Sequence, residues 1–286
     1  MATFSPTEQG SVAWTGGTLR IAGATDVGCV RSINQDAYGH FHLADRGESL
    51  FVVADGLGGH QGGEIASQLA VEVLEKWIGE GEGEPSIRLT RAITAANQSI
   101  LTAARRDDQL SGMATTIVCL LLDENGRSHV AHVGDSRLYR LRDGRLSGIT
   151  EDHSLVATLV REGVLSAEDA REDPRRNQVL RALGVRDEIQ IDVASLESLP
   201  GDTYLLCSDG LNGLIDDNEI HNLLTQHSEP MVLAAALIDA AKQAGGNDNI
   251  TCLIASLPAP TIFPVLRARA ARLIAATRSL FQKARA

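Results

Sequence analysis

After a polar, Gly-rich opening over residues 1–18, which reads as a loose arm, the chain alternates short apolar runs with turn-forming residues. Runs at 19–25, 38–43 and 50–54, separated by Gly, Asn and Asp, predict strands. From 62 to 78 the apolar positions Ile65, Ala66, Leu69, Ala70, Val73, Leu74 and Trp77 follow the spacing of a helix with one buried face. Residues 80–86 are a loop, and Pro85 suits the first turn of a second helix carrying Ile87, Ala92, Ile93, Ala96, Ile100 and Ala103. Strands return at 114–122, 128–134 and 137–142, and the turns Glu124-Asn125-Gly126 and Arg142-Asp143-Gly144 imply an antiparallel meander. The charged stretch 153–176 is expected to be helical and partly solvated. Strands at 189–193 and 203–207, helices at 217–226 and 230–244, and a strand at 249–256 complete the pattern. Strands come in runs with helices in pairs between them, which argues against βαβ alternation. The expectation is one α+β domain over 19–257, antiparallel sheets covered by helix pairs.

Pro258, Pro260 and Pro264 punctuate its end. Beyond them Leu266, Ala270, Leu273, Ile274, Thr277, Leu280 and Phe281 form an apolar stripe with arginines opposite. A basic amphipathic tail over 258–286 can dock on an anionic membrane surface or a partner through residues 262–286, or fold back on the domain.

Composition narrows the function classes. With 286 residues, 43% hydrophobic and 22% charged, the chain has the balance of a soluble globular protein. A net charge of −11 and 3% aromatics exclude nucleic acid as the expected partner, since phosphate backbones are held by Lys and Arg and bases by aromatic rings. Six of the basic residues lie beyond Thr261 with no acid among them, so the body is more acidic than the total suggests. Cys29, Cys119, Cys207 and Cys252 are far apart, each in or beside an apolar run, as expected of reduced, buried thiols in a reducing compartment. No signal peptide and no apolar stretch of about 20 residues is visible, so a cytoplasmic protein is expected.

The candidate chemistry lies in a repeated local grammar: an apolar run that stops at an aspartate beside a small or turn-forming residue. Phe51-Val-Val-Ala54 runs into Asp55-Gly56, and Tyr204-Leu-Leu-Cys-Ser208 into Asp209-Gly210. Val130-Ala-His-Val-Gly134 runs into Asp135-Ser136, and Gly246-Asn247 precedes Asp248-Asn249. Carboxylates beside a core need cations or donors. Gathered at one end of a sandwich, they would form an oxygen-rich site for hard divalent ions. Each Asp could equally cap a turn, and spacing alone leaves the two readings level. The Gly-rich run 55–63 lacks the phosphate-loop and dinucleotide fingerprints, and no EF-hand loop is present.

Taken together and in order, several segments resemble the metal-dependent protein phosphatases of the protein phosphatase 2C family, bacterial branch. They are Thr25–Asp36, Asp55-Gly-Leu-Gly-Gly-His60, Ser111–Thr116, Val133-Gly-Asp-Ser-Arg137, Asp152-His-Ser154, residues 177–184, Cys207-Ser-Asp-Gly-Leu211 and Gly246-Asn-Asp-Asn-Ile-Thr251. The resemblance implies a sandwich of two packed antiparallel sheets flanked by helix pairs, with two Mn2+ or Mg2+ ions at one end and a third, weaker one. By position, Asp55 would bridge two metals with the Gly56 carbonyl on one of them, and Asp209 and Asp248 would hold the other. Asp36 would orient a metal-activated water, Asp135 would contribute to the third ion, and Arg31 would grip the substrate phosphate. The implied activity is hydrolysis of phosphoserine and phosphothreonine in proteins, by a cytoplasmic monomer that opposes a eukaryotic-like kinase and acts on its substrates and the kinase itself, at the inner-membrane surface if the tail docks there. A catalytically silent, phosphoprotein-binding module is the alternative, and loss of Asp55, Asp209 or Asp248 would mark it; all three are present. Gln35 replaces a Glu found in some relatives, and Leu57 stands where eukaryotic relatives place a histidine acid. His60 is the nearby candidate general acid, His153 reads as structural, and 161–176 matches a flap beside the site.

Overall fold

Consecutive residues of the central strands face two different cores, which is why their sequences are apolar without alternation. In the computed structural model, which describes residues 7–14, 17–58, 62–123 and 126–258, Leu50, Val52 and Ala54 enter one apolar cluster while Phe51 and Val53 enter another. Likewise Ile250, Cys252 and Ile254 face one side of their strand and Leu253 and Ala255 the other.

In chain order the elements are β1 (Thr7–Trp14), β2 (Gly17–Asp26), β3 (Asp36–Leu43), β4 (Glu48–Leu57), α1 (Gly62–Glu80), α2 (Pro85–Arg106), β5 (Ala114–Thr115), β6 (Ile117–Asp123) and β7 (Arg127–Val133). There follow β8 (Arg137–Arg142), β9 (Arg145–Gly148), α3 (Leu155–Arg161), α4 (Ala167–Glu172), β10 (Asp192–Glu197), β11 (Thr203–Cys207), α5 (Asp209–Asn212), α6 (Asp217–Gln226), α7 (Pro230–Gln243) and β12 (Ile250–Ser256). One antiparallel sheet has the order β1-β2-β12-β11-β8-β9 and the other β10-β7-β6-β4-β3, with β5 paired to β4. A core of Leu19, Ile21, Tyr38, Phe51, Leu120, Tyr204, Leu206 and Leu253, among others, fills the space between the sheets. Helices α1 and α2 cover the outer face of the second sheet, and α6 and α7 that of the first. This is the expected α+β sandwich flanked by helix pairs.

Three departures have physical causes. Part of the expected loose arm is strand β1, whose eight residues pair with β2 from Thr7↔Ala24 to Trp14↔Gly17; an edge strand draws its order from one backbone ladder, which a polar sequence does not advertise. The strand expected at 189–193 begins at Asp192, because pairing with β7 starts at Asp192↔His132 while Ile189 and Ile191 pack before it against the helix-covered core. The charged stretch 153–176 resolves into two short helices, α3 and α4, capped by the Ser154 and Ser166 hydroxyls. Residues 259–286, including the basic stripe, lie outside the described residues. No described helix is long and apolar enough to cross a membrane.

One polar feature of the core is testable. Arg88 of α2 donates to the buried carboxylate of Glu48 at the start of β4 and to the Ile78 carbonyl at 3.1 Å. Removing one partner leaves the other as an uncompensated buried charge. Arg88→Met should cost about 3–5 kcal/mol in chemical denaturation, and Glu48→Gln added to it should recover much of that. An unchanged midpoint in Arg88→Met would contradict this reading.

Candidate functional site

The register of the two sheets brings the sequence's aspartates to one end of the sandwich. Asp36 opens β3 directly opposite Asp55 in β4. In the other sheet Cys207 is paired with both Cys252 and Arg137, so the residues just beyond these pairs, Ser208-Asp209, Thr251 and Ser136-Asp135, emerge side by side. Asp248 lies in the approach to β12. Residues more than two hundred positions apart thus share one rim.

The rim is held together by polar side chains around Asn249. Its Oδ1 accepts from the Gln35 backbone N–H at 2.8 Å, and its Nδ2 donates to the Val27 and Ile33 carbonyls at 3.0 and 2.9 Å. Two glycines permit the close approaches. A Cβ on Gly28, where φ is +81°, would lie 2.1 Å from the Asp248 carbonyl oxygen, and one on Gly56 would lie 2.1 Å from that of Gly63. Ser208 donates to Asp36 Oδ2 at 2.7 Å and accepts from the Thr251 backbone N–H at 3.0 Å. Arg31, half exposed, donates to Asp248 Oδ2 at 2.8 Å.

The electrostatics of this rim are those of acids without enough compensating charge. Burial pushes Asp36 up to about 7, against the pull of the Thr251 and Ser208 hydroxyls, with Asp209 and Asp248 raising it further. Burial and then Asp209 and Asp152 push Asp135 up to about 8. Asp55 is raised well above the carboxylate range by burial and by Asp36, Asp209 and Asp135, and Asp209 by burial and Asp248. Asp36 Oδ1 is buried without a hydrogen-bond partner. An all-oxygen set of raised carboxyls with an orphaned oxygen fits a hard divalent cation: ions would replace the protons and satisfy that atom.

Outside this rim, one other group of potential ligands exists among the described residues. Donor atoms of His132, His153 and Asp192 lie within 4.8 Å of one another, closer than any three of the aspartates. This group is already satisfied. His153 Nδ1 accepts from the Gly134 N–H at 3.1 Å, so its Nε2 carries the proton, and Arg181 donates to Asp192 at 2.9 Å. Burial, the stacked His132 and Arg181 hold the His153 pKa below the ordinary histidine value. His153 is structural here: its backbone N–H also bonds the Gly134 carbonyl at 2.9 Å, fixing the turn that carries Asp135.

The structure therefore brings together Asp36, Asp55, Gly56, Asp135, Asp209, Asp248 and Arg31. His60 lies outside the described residues. Asn249, Ser208 and Thr251 join the site without standing out as candidates in the sequence, although each is polar and directly adjacent to a candidate Asp or to an apolar run. A further pair, Arg137 and Asp152, form a two-point ion pair at 2.7 and 2.8 Å beside Asp135. The rim opens into a cavity of about 860 Å³ that reaches α3, α4 and the turn after α5.

Comparison with known proteins agrees with this arrangement. The family model for Protein phosphatase 2C matches residues 30–246. A serine/threonine phosphatase stp of Listeria welshimeri is 38% identical over 235 residues, which is 80% of this chain and 92% of that protein. The serine/threonine protein phosphatase PstP of Mycobacterium tuberculosis is 39% identical over 240 residues, 84% of this chain and 45% of that one. A crystal structure of the PstP catalytic domain in complex with two manganese ions superposes with a TM-score of 0.75 at 36% identity, covering 84% of this chain and 98% of that one.

Proposed function

Since the chain belongs to the protein phosphatase 2C family and is a metal-dependent protein serine/threonine phosphatase, we propose that its rim of aspartates is the catalytic centre and would hold two divalent ions, with Asp55 as a ligand common to both. The observation that carries this reading is the convergence of Asp36, Asp55, Asp209 and Asp248 at one end of the sandwich, with Arg31 on Asp248 as the paired cation and one buried oxygen unpartnered. Asp55 and the Gly56 carbonyl, Asp209 and Asp248 would hold the pair; Asp36 would take part in the same shell. Asp135, buried and within electrostatic reach of Asp209, would suit a third, weaker ion. The donor set is all oxygen, which accepts Mn2+ and Mg2+ alike.

When bound, such a pair of ions lowers the pKa of water and shields the charge of the phosphate. The chain's own contribution is orientation. Ser208 fixes Asp36 by donating to Oδ2, which leaves the buried Oδ1 as a free acceptor. Arg31 stands at the exposed mouth, where its guanidinium can leave Asp248 for two non-bridging phosphate oxygens. Buried hydrophobic strands behind the rim keep the carboxylates from relaxing into bulk water.

The substrates are phosphorylated proteins. We infer a eukaryotic-like kinase and its targets as the physiological opponents, a monomer, and a cytoplasmic location in keeping with four unpaired thiols, of which Cys119, Cys207 and Cys252 are buried as expected while Cys29, in the turn after β2, is exposed. His60 as general acid and membrane or partner docking by residues 262–286 remain proposals on residues outside those described. No observation favours a silent binding module.

Arg31 gives a specific test. Arg31→Ala should raise KM for a phosphothreonine peptide by about tenfold or more, the loss of a charge-assisted bidentate contact, while Mn2+ still binds. Arg31→Lys should recover only part. An unchanged KM in Arg31→Ala would remove Arg31 from the phosphate site.

A further inference from the structure

The cavity beside the aspartates runs on past them, between the α3–α4 wall and the turn leading into α6. Val156, Val160, Ala167 and Leu214 give its lining an apolar part. Most charges on its rim are already engaged: Arg161 with Glu151, Arg137 with Asp152, Asp216 as the cap of α6 at 2.8 Å, and Asp217 as acceptor of the Tyr139 hydroxyl at 3.0 Å. Two are not. Arg171, in the last turn of α4, and Arg176, in the turn after it, are exposed, line the cavity, and have no side-chain hydrogen bond or ion pair among the described residues. Glu168 lies on the same wall one helical turn before Arg171 and is not bonded to it. Two free guanidinium groups therefore face a groove that is continuous with Arg31, Asp209 and Asp248.

We propose that Arg171 and Arg176 form a second anion subsite, which binds a carboxylate or a further phosphate of the same polypeptide, near the phosphorylated residue being hydrolysed. This rests on the phosphatase reading above and adds the class of substrate preferred. A guanidinium fork matches a carboxylate or phosphate at two points, and the apolar part of the lining can take the aliphatic portion of the neighbouring residues. Because both arginines are exposed, the contact is screened by solvent and weakens as salt increases. The effect falls on substrate capture, and so on KM more than kcat.

Three phosphothreonine peptides separate the sources of the anion: one with neutral neighbours, one with glutamates about three residues to either side, and one with a second phosphothreonine there. With Mn2+ at low salt, kcat/KM for the doubly phosphorylated peptide should exceed that for the neutral one by about tenfold, with the glutamate peptide between them. In the folded Arg171→Gln/Arg176→Gln variant, checked by circular dichroism, that ratio should fall below about twofold. A preference for the second phosphate alone assigns the subsite to phosphate; a comparable preference for glutamate assigns it to either anion. Wild-type protein that does not discriminate among the peptides, or a double variant that keeps the full ratio, overturns the subsite. Turnover of p-nitrophenyl phosphate by the wild type separates the two levels: if it persists without peptide preference, the subsite fails alone, and if it is absent, the phosphatase reading fails beneath it.

Discussion

Asp209→Asn should lower kcat/KM toward phosphothreonine peptides by about 10³-fold or more while leaving the fold intact. Asp209 sits at the junction of β11 and α5, where burial and the neighbouring Asp248 raise its carboxyl above the ordinary range. An amide of the same shape removes the charge that would hold a dication. It also relieves like-charge repulsion, so the variant without metal should be as stable as the wild type or more so. Steady-state kinetics with Mn2+ in excess and a thermal melt in chelator check both halves. Activity within tenfold of wild type would show that Asp209 is not a ligand.

The second large effect is that of removing metal, and it carries a pH signature. Chelation should reduce turnover to background, and added Mn2+ should restore it. Without ions, the folded chain holds protons on Asp36 and Asp135 up to about pH 7 and 8, whereas unfolded aspartates release theirs near the ordinary value of 3.8. Across that window the folded state binds more protons, so metal-free stability is greatest at the acidic end and falls as pH rises through 7 to 8. Each pKa unit is worth about 1.4 kcal/mol, so the melting temperature in chelator should drop by about 5 °C or more between pH 5 and 8. Mn2+ replaces those protons; its binding should release protons and tighten as pH rises through the same window. A metal-free melting temperature that climbs from pH 5 to 8, with no proton release on Mn2+ addition, would mean that the carboxyls are not a cation site.

The layers of this protein were readable because its strands are buried on both faces. Apolar runs such as 50–54 and 117–122 have no helical reading of comparable length, and each ends at an Asp where the backbone leaves the core. What the sequence conceals is register. Nothing local to Ser208 or Thr251 says that they lie opposite one another and beside Asp36; that follows from the β11–β12 and β3–β4 pairings. Asn249, a turn-former by composition, is a bracket between loops because it receives Gln35 across 214 residues of sequence. Elements ordered mainly by a neighbouring backbone, β1 and the four-residue β9, were likewise invisible to hydrophobic pattern. The flap side was legible as a charged helical excursion, but the division between its engaged and free arginines belongs to three-dimensional contacts alone.

The central claim is that these acids cage a pair of dications, and anomalous diffraction tests it most directly. Crystals grown with Mn2+ and measured above the manganese absorption edge should show two strong anomalous peaks a few ångströms apart, sharing Asp55 and bounded by the Gly56 carbonyl, Asp209 and Asp248. No peak at that rim at saturating Mn2+, or a single peak instead beside His132, His153 and Asp192, would contradict it.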